Sequence, residues 1–147
     1  MLVERILPTA LKRLRTVQAD AVVTEAAKLL SNTHISLVVV CNLGGVMVGI
    51  LTKTDVVRQI AHSAGSRCTA AASDVMTRDV IYCHPNDTLQ DVLSRMKDHT
   101  FVHIPVVDQM CKPVGVINAR DAFQALLGDA EDDVSLLRGY IMGIGYQ

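Results

Sequence analysis

Two short segments of this chain carry residue types whose spacing suits anion and diol recognition. Gly49-Ile50-Leu51-Thr52-Lys53-Thr54-Asp55 and Gly115-Val116-Ile117-Asn118-Ala119-Arg120-Asp121 each place a glycine in an apolar, strand-like run. A polar residue follows three positions later, and an aspartate three positions after that. A strand that turns into a helix near Lys53 leaves backbone N–H groups unpaired at the positive end of the helix dipole, where a phosphate fits. The Thr52 hydroxyl adds a donor there. Asp55, one turn into the helix, offers two acceptor oxygens that match the two donors of a sugar diol. Gly49 and Gly115 permit a close backbone approach. Taken singly, Thr52 is an ordinary helix cap and Asp55 an ordinary first-turn acid.

Recurrence is what lifts the motif above that ordinary level. Both ends of the two segments give one offset of 66 residues (115 − 49 and 121 − 55), and the register holds upstream without a gap. It sets Asp20 against Asn86, Glu25 against Asp91, and Val38-Val39-Val40 against Ile104-Pro105-Val106. A repeat of this length is one supersecondary unit used twice. In the second copy, Val80 to Cys83 reads as a brief strand, and Thr88 caps a helix through Leu89, Val92, Leu93 and Met96. Ile104 to Val107 and Val114 to Ile117 form a hairpin around Asp108 to Lys112, and Ala119 to Leu127 closes as a helix stopped by Gly128. The first copy follows the same β-α-β-β-α order through Leu14 to Val17, Val22 to Asn32, Leu37 to Cys41, Val46 to Leu51 and Lys53 to Ala61. The expected organisation is a first repeat over residues 1–62, a Ser/Ala/Gly-rich linker over 63–73, a second repeat over 74–128, and a tail over 129–147. Val134, Leu136, Leu137, Ile141 and Met142 give that tail the spacing of a short amphipathic helix.

Composition narrows the remaining choices. Half of the 147 residues are apolar but only 3% are aromatic, so the core is built from Val, Ile, Leu, Ala and Met. A formal net charge of −1 leaves no broad positive field for a polyanion, and the few aromatics make no stacking platform, so no nucleic-acid partner is expected. No apolar run approaches the roughly 18–20 residues of a membrane span, and none precedes a cleavage site, so the default compartment is the cytoplasm. Cys41, Cys68, Cys83 and Cys111 are scattered without CxxC spacing and read as reduced thiols. His99 and His103 stand at i and i+4, but Phe101, Val102, Ile104 and Pro105 read as a strand start, so no metal is expected. No Walker loop, GxGxxG or GxSxG is present, and Cys83-His84 alternate to opposite faces of an extended segment. No catalytic machinery is expected.

The repeated Gly-apolar-x-Thr/Ser-x-x-Asp pattern after a hairpin resembles a tandem pair of cystathionine-β-synthase (CBS) domains over about residues 1 to 127. Asp74-Val75-Met76, Pro85-Asn86-Asp87-Thr88-Leu89 and His103-Ile104-Pro105-Val106-Val107-Asp108 agree with it. The resemblance implies an α/β fold of the α+β type, with two β-α-β-β-α units in pseudo-twofold arrangement. It further implies a regulatory module that binds an adenosyl ligand of the AMP, ADP or ATP class in a cleft between repeats, a homodimer, and a regulated protein partner that the residues do not name. Thr52 and Asp55 would then hold phosphate and ribose, with Gly49, Gly115, Asn118 and Asp121 as family positions. The adenine would lie near Ile81 or, in the other cleft, Arg15, and His103 would turn towards ligand phosphates. Asn118 in place of Thr or Ser, and Leu37 opposite His103, make the clefts unequal and favour the one built around Thr52 and Asp55. Empty clefts in a dimerisation scaffold, or another ligand such as S-adenosylmethionine, NADH or a metal ion, are the alternatives.

Overall fold

The architecture is given by a computed structural model that describes residues 1–63 and 69–128. The expected tail helix lies outside the described residues. A 3-10 turn at Val3–Ile6 leads into α1 (Leu7–Arg13), followed by β1 (Thr16–Gln18), α2 (Val23–Leu30), β2 (Leu37–Cys41), β3 (Met47–Thr52) and α3 (Lys53–Ser63). The second half contributes α4 (Ala72–Val75), α5 (Leu89–His99), β4 (His103–Val107) and β5 (Pro113–Asn118). A final helix, α6, covers residues 119–128. This is a mixed α+β protein with two sheets: β1 parallel to β2 and β2 antiparallel to β3 in one, β4 antiparallel to β5 in the other.

The 66-residue offset recurs in fine geometry. Leu37 pairs with Thr52 and His103 with Asn118, and both hairpins carry a register shift at matching places, Val40/Cys41 and Val106/Val107. Both turns are held by one acceptor: Asn42 Oδ1 accepts from the N–H groups of Gly44 and Val46, and Asp108 Oδ1 from those of Met110 and Lys112. The Thr88 hydroxyl accepts from Asp91 N–H at 3.2 Å, the expected cap of α5. That helix ends on Thr100 in the left-handed region, with Phe101 N–H returning to Met96 O at 2.8 Å. His99 is therefore left behind on the helix while His103 opens β4, and no cluster of His, Cys, Asp or Glu that could hold a metal exists among the described residues.

All five residues of β2 are buried because both of its faces are covered. Val38 and Val40 face their own helices in a core with Val23, Ala26, Leu30 and Leu51. Leu37, Val39 and Cys41 face the other way and meet Val107 and Val116, so the two sheets share a core across the pseudo-twofold. A third cluster around Leu89, Val92, Met96, Ile104 and Ile117 fills the second half.

Two departures from the sequence expectation matter for the site. The strand expected over Val80 to Cys83 shrinks to one parallel bridge, Cys83 with Val106. In the first half the matching ladder is extended by Val39 N–H donating to Arg15 O at 2.9 Å. Pro105 occupies the place of Val39 and has no N–H, so the equivalent bond to the Ile81 carbonyl cannot form.

The second departure is an exchange of leading segments. Residues 1–13, for which the sequence predicts no element, pack on the second half. Val3 is fully buried with Cys83 and Leu89, and its N–H donates to Asp87 O at 2.9 Å. Ala10 sits so close to Gly115 that a Cβ there would stand 2.7 Å from the Ala10 Cβ. Conversely, Ala72 and Met76 join the core of the first half. A Cβ on Gly49 would collide with the Met76 side chain, and Thr77 and Ile50 exchange backbone hydrogen bonds. No described helix is long and apolar enough to cross a membrane.

Candidate functional site

Where β3 runs into α3, Thr52 and Asp55 form a reciprocal cap. Asp55 N–H donates to Thr52 Oγ1 at 3.3 Å, and Thr52 N–H donates to Asp55 Oδ2 at 3.0 Å. The Thr52 hydroxyl also donates to Oδ2, at 3.1 Å. Across from them, the Thr77 hydroxyl reaches Asp55 Oδ1 at 3.2 Å, and Arg58 Nη1 stands 3.7 Å from the same oxygen. Asp55 is only 6% exposed, the one charged residue among the buried ones described. Burial of a carboxylate is tolerable because each oxygen is held by donors.

This carboxylate lies in the wall of a cavity of about 380 Å³. Ile50, Leu37, Val80, Ile81 and Val102 supply apolar surface, and Thr52, Thr77 and His103 supply polar groups. The lining comes from both halves of the chain: β3 and α3 on one side, the segments at Val80-Ile81 and Val102-His103 on the other. Its charged members are Asp55, Asp79 and Arg58. Thr52, Asp55, Ile81 and His103 thus line one cavity, whereas Asn118 and Asp121 do not line it. Ile81 brings a carbonyl that Pro105 cannot satisfy.

The matching position in the second half is built differently. Asp121 is gripped by Arg13 from α1, with Nε 2.6 Å from Oδ2 and Nη2 3.2 Å from Oδ1. Arg13 Nη1 also lies 3.5 Å from His34 O. Asn118 caps α6 by accepting from Arg120 N–H at 2.7 Å, which turns its amide nitrogen towards His103 Nε2 at 2.8 Å. Burial pushes the His103 imidazole below its usual 6.5, and the Arg13 charge pushes the same way. The neutral ring then accepts from Asn118. Here Arg13 lines two smaller hollows, of about 350 and 280 Å³.

Gly49 and Gly115 are not part of either cavity wall; they are the crossing points for Met76 and Ala10. Cys83 and His84 are kept apart in role: burial and the nearby Asp87 push the Cys83 thiol up to about 12, against a smaller opposing pull from Arg95. His84 Nδ1 is tied to Val107 O at 3.0 Å. Sequence reasoning overlooks Arg13, Thr77 and Asp79. The 66-residue offset, carried back past Leu14, pairs Arg13 with Asp79 and so marks a position of opposite charge in the two clefts.

A family model of the CBS domain matches residues 4–62 and 72–128. The structure resembles a CBS-domain containing protein from Agrobacterium tumefaciens, with a TM-score of 0.71 and 30% identity, covering 84% of this chain and 92% of that one. It also resembles the CBS domain pair of protein MJ0100 in complex with 5′-methylthioadenosine and S-adenosyl-L-methionine, with a TM-score of 0.71, 26% identity, and coverage of 88% and 98%. Among curated proteins, a homoserine O-acetyltransferase from Methanosphaera stadtmanae is 33% identical over 102 residues. That match takes in 69% of this chain and 20% of the acetyltransferase, so the chain spans about a fifth of that relative's length. With both repeats matched and the architecture shared, the chain belongs to the CBS-domain family, as a pair of CBS domains.

Proposed function

We propose that this CBS pair is a regulatory module that binds one adenosyl ligand in the cleft of Thr52 and Asp55 and passes its occupancy to a protein partner. The carrying observation is the contrast between the two clefts at equivalent atoms. On the first side, Asp55 keeps the Thr52 N–H on Oδ2 and Arg58 at 3.7 Å from Oδ1, but the Thr52 and Thr77 hydroxyls that share its oxygens can rotate away, and the Ile81 carbonyl meets no N–H from Pro105. On the second, the Asp121 oxygens hold a guanidinium and the Arg15 carbonyl already accepts from Val39. A ribose diol fits the first carboxylate, and an adenine amino group fits the free carbonyl. The aliphatic walls supply the apolar contact for the base. Two acids against one arginine do not favour a polyphosphate. An adenosyl ligand of low charge is therefore the sharper reading within the adenosyl class, ahead of AMP, ADP or ATP.

Because the cavity wall is drawn from both repeats, a ligand stabilises one relation between them, and the signal equals its differential affinity for that relation. The module performs no reaction of its own in this reading. Two copies pair through the exposed apolar residues of the last helix in each repeat, Val57 and Ile60 on α3 and Phe123 and Leu127 on α6.

Calorimetric titration of ligand-stripped protein with AMP, ADP, ATP, 5′-methylthioadenosine, S-adenosylmethionine and NADH tests the reading. Saturable binding of a low-charge adenosyl compound that is weakened by about tenfold or more in Asp55→Ala supports it. Silence across the panel leaves a dimerisation scaffold with empty clefts.

A further inference from the structure

We propose that Arg13 makes the second cleft a conditional site, shut to uncharged adenosyl ligands and open to phosphorylated ones. The inference rests on the adenosyl reading above and extends it to the cleft that reading leaves aside. Arg13 is the last residue of α1, and α1 is fixed on the second repeat by the contact of Ala10 with Gly115. From there its guanidinium spans to Asp121 on one side and to the His34 carbonyl of the first repeat on the other. The fork-to-fork pair occupies both oxygens that a ribose diol needs. It also stands between the hollows of about 350 and 280 Å³, lining each, where the first cleft has one continuous cavity.

Freeing Asp121 strands a guanidinium in a half-buried place, with Arg13 27% and Asp121 16% exposed. A neutral adenosyl thioether offers Arg13 no anion in exchange. A phosphate does, because it accepts the same two parallel N–H bonds that the carboxylate accepted. The surroundings favour that exchange: Lys12 and Arg15 line one hollow and Arg120 the other, with no acid in either lining. In the first cleft Asp79 stands at the place of Arg13, so the selection there has the opposite sign.

The test uses the full chain in an Asp55→Ala background, which weakens the first cleft by about 10- to 100-fold, with ADP and 5′-methylthioadenosine as probes. Asp55→Ala alone is expected to bind ADP about tenfold or more tightly than 5′-methylthioadenosine. Adding Arg13→Ala is expected to reverse the order, weakening ADP about tenfold and admitting the thioether. Arg13→Gln, which keeps most of the side chain's packing, serves if the alanine variant does not fold, and Asp55→Asn serves likewise. Equal affinity for both probes with Arg13 present, binding of neither, or no gain of thioether binding without Arg13 overturns the proposal. Failure of the unsubstituted protein to bind any adenosyl compound instead overturns the adenosyl reading itself.

Discussion

Asp55 has a capping role and a proposed ligand role, which substitution can separate. As the third residue of α3 its carboxylate completes the cap with Thr52, so Asp55→Ala is expected to cost about 1 kcal/mol in urea unfolding. In its proposed role as a diol acceptor it would contribute hydrogen bonds to a charged group, each about 1.5–3 kcal/mol, so the same change is expected to weaken an adenosyl ligand by about 10- to 100-fold. Asp55→Asn keeps a cap acceptor, and is expected to recover stability without recovering affinity. If the two losses recover together, the carboxylate is only a cap. His103 gives a pH signature. Its pKa is lowered in the fold, so below the usual 6.5 the unfolded chain binds more protons and stability falls as pH drops. His103→Gln is expected to flatten thermal stability between about pH 7 and 5; an unchanged slope would assign the acid sensitivity elsewhere. At this scale Thr52 and Asp55 stood out in the sequence because their motif recurs at one offset, whereas Ile81 and His103, which face Arg15 and Leu37 at that offset, entered only through the family resemblance. Arg13 was not legible, because its partner Asp121 lies more than a hundred residues away and no local pattern links them.

Pro105 decides the fate of an element as well as an acceptor. Pro105→Val restores the donor that Val39 supplies in the first repeat, and is expected to let the segment around Ile81 pair as β1 does. Ligand affinity should then fall by about tenfold, the worth of one good hydrogen bond, with no loss of thermal stability; unchanged affinity would remove the Ile81 carbonyl from the site. Gly115→Ala drives a Cβ against the Ala10 Cβ and main chain, atoms that cannot swing aside, and is expected to cost about 1–3 kcal/mol by chemical denaturation. Helices α2, α3, α5 and α6 and the four hairpin strands were readable from apolar period and register. The short α1 was not, since its apolar residues answer to a core assembled from the other end of the chain.

For the whole molecule, the exposed apolar residues on α3 and α6 correspond across the offset, Val57 with Phe123, and are 63% and 57% exposed. The double variant Val57→Glu, Phe123→Glu is expected to halve the mass found by light scattering, from two chains to one. A single-chain mass for the unsubstituted protein would place the partner surface elsewhere. Pairing of the two repeats was visible in the sequence as a repeat; the crossing of their leading segments was not, because contiguity along the chain suggests that each repeat completes itself. That crossing bears on how the molecule is made. Ala10 leaves the ribosome 105 residues ahead of the Gly115 against which it packs (115 − 10), which at roughly 5–20 residues per second is a delay on the order of ten seconds. Throughout that interval Val3, Ile6 and Leu7 have no core to enter, so the growing chain carries a small apolar handle open to a chaperone, and the second repeat closes only once Gly115 has followed Ala10 out of the tunnel.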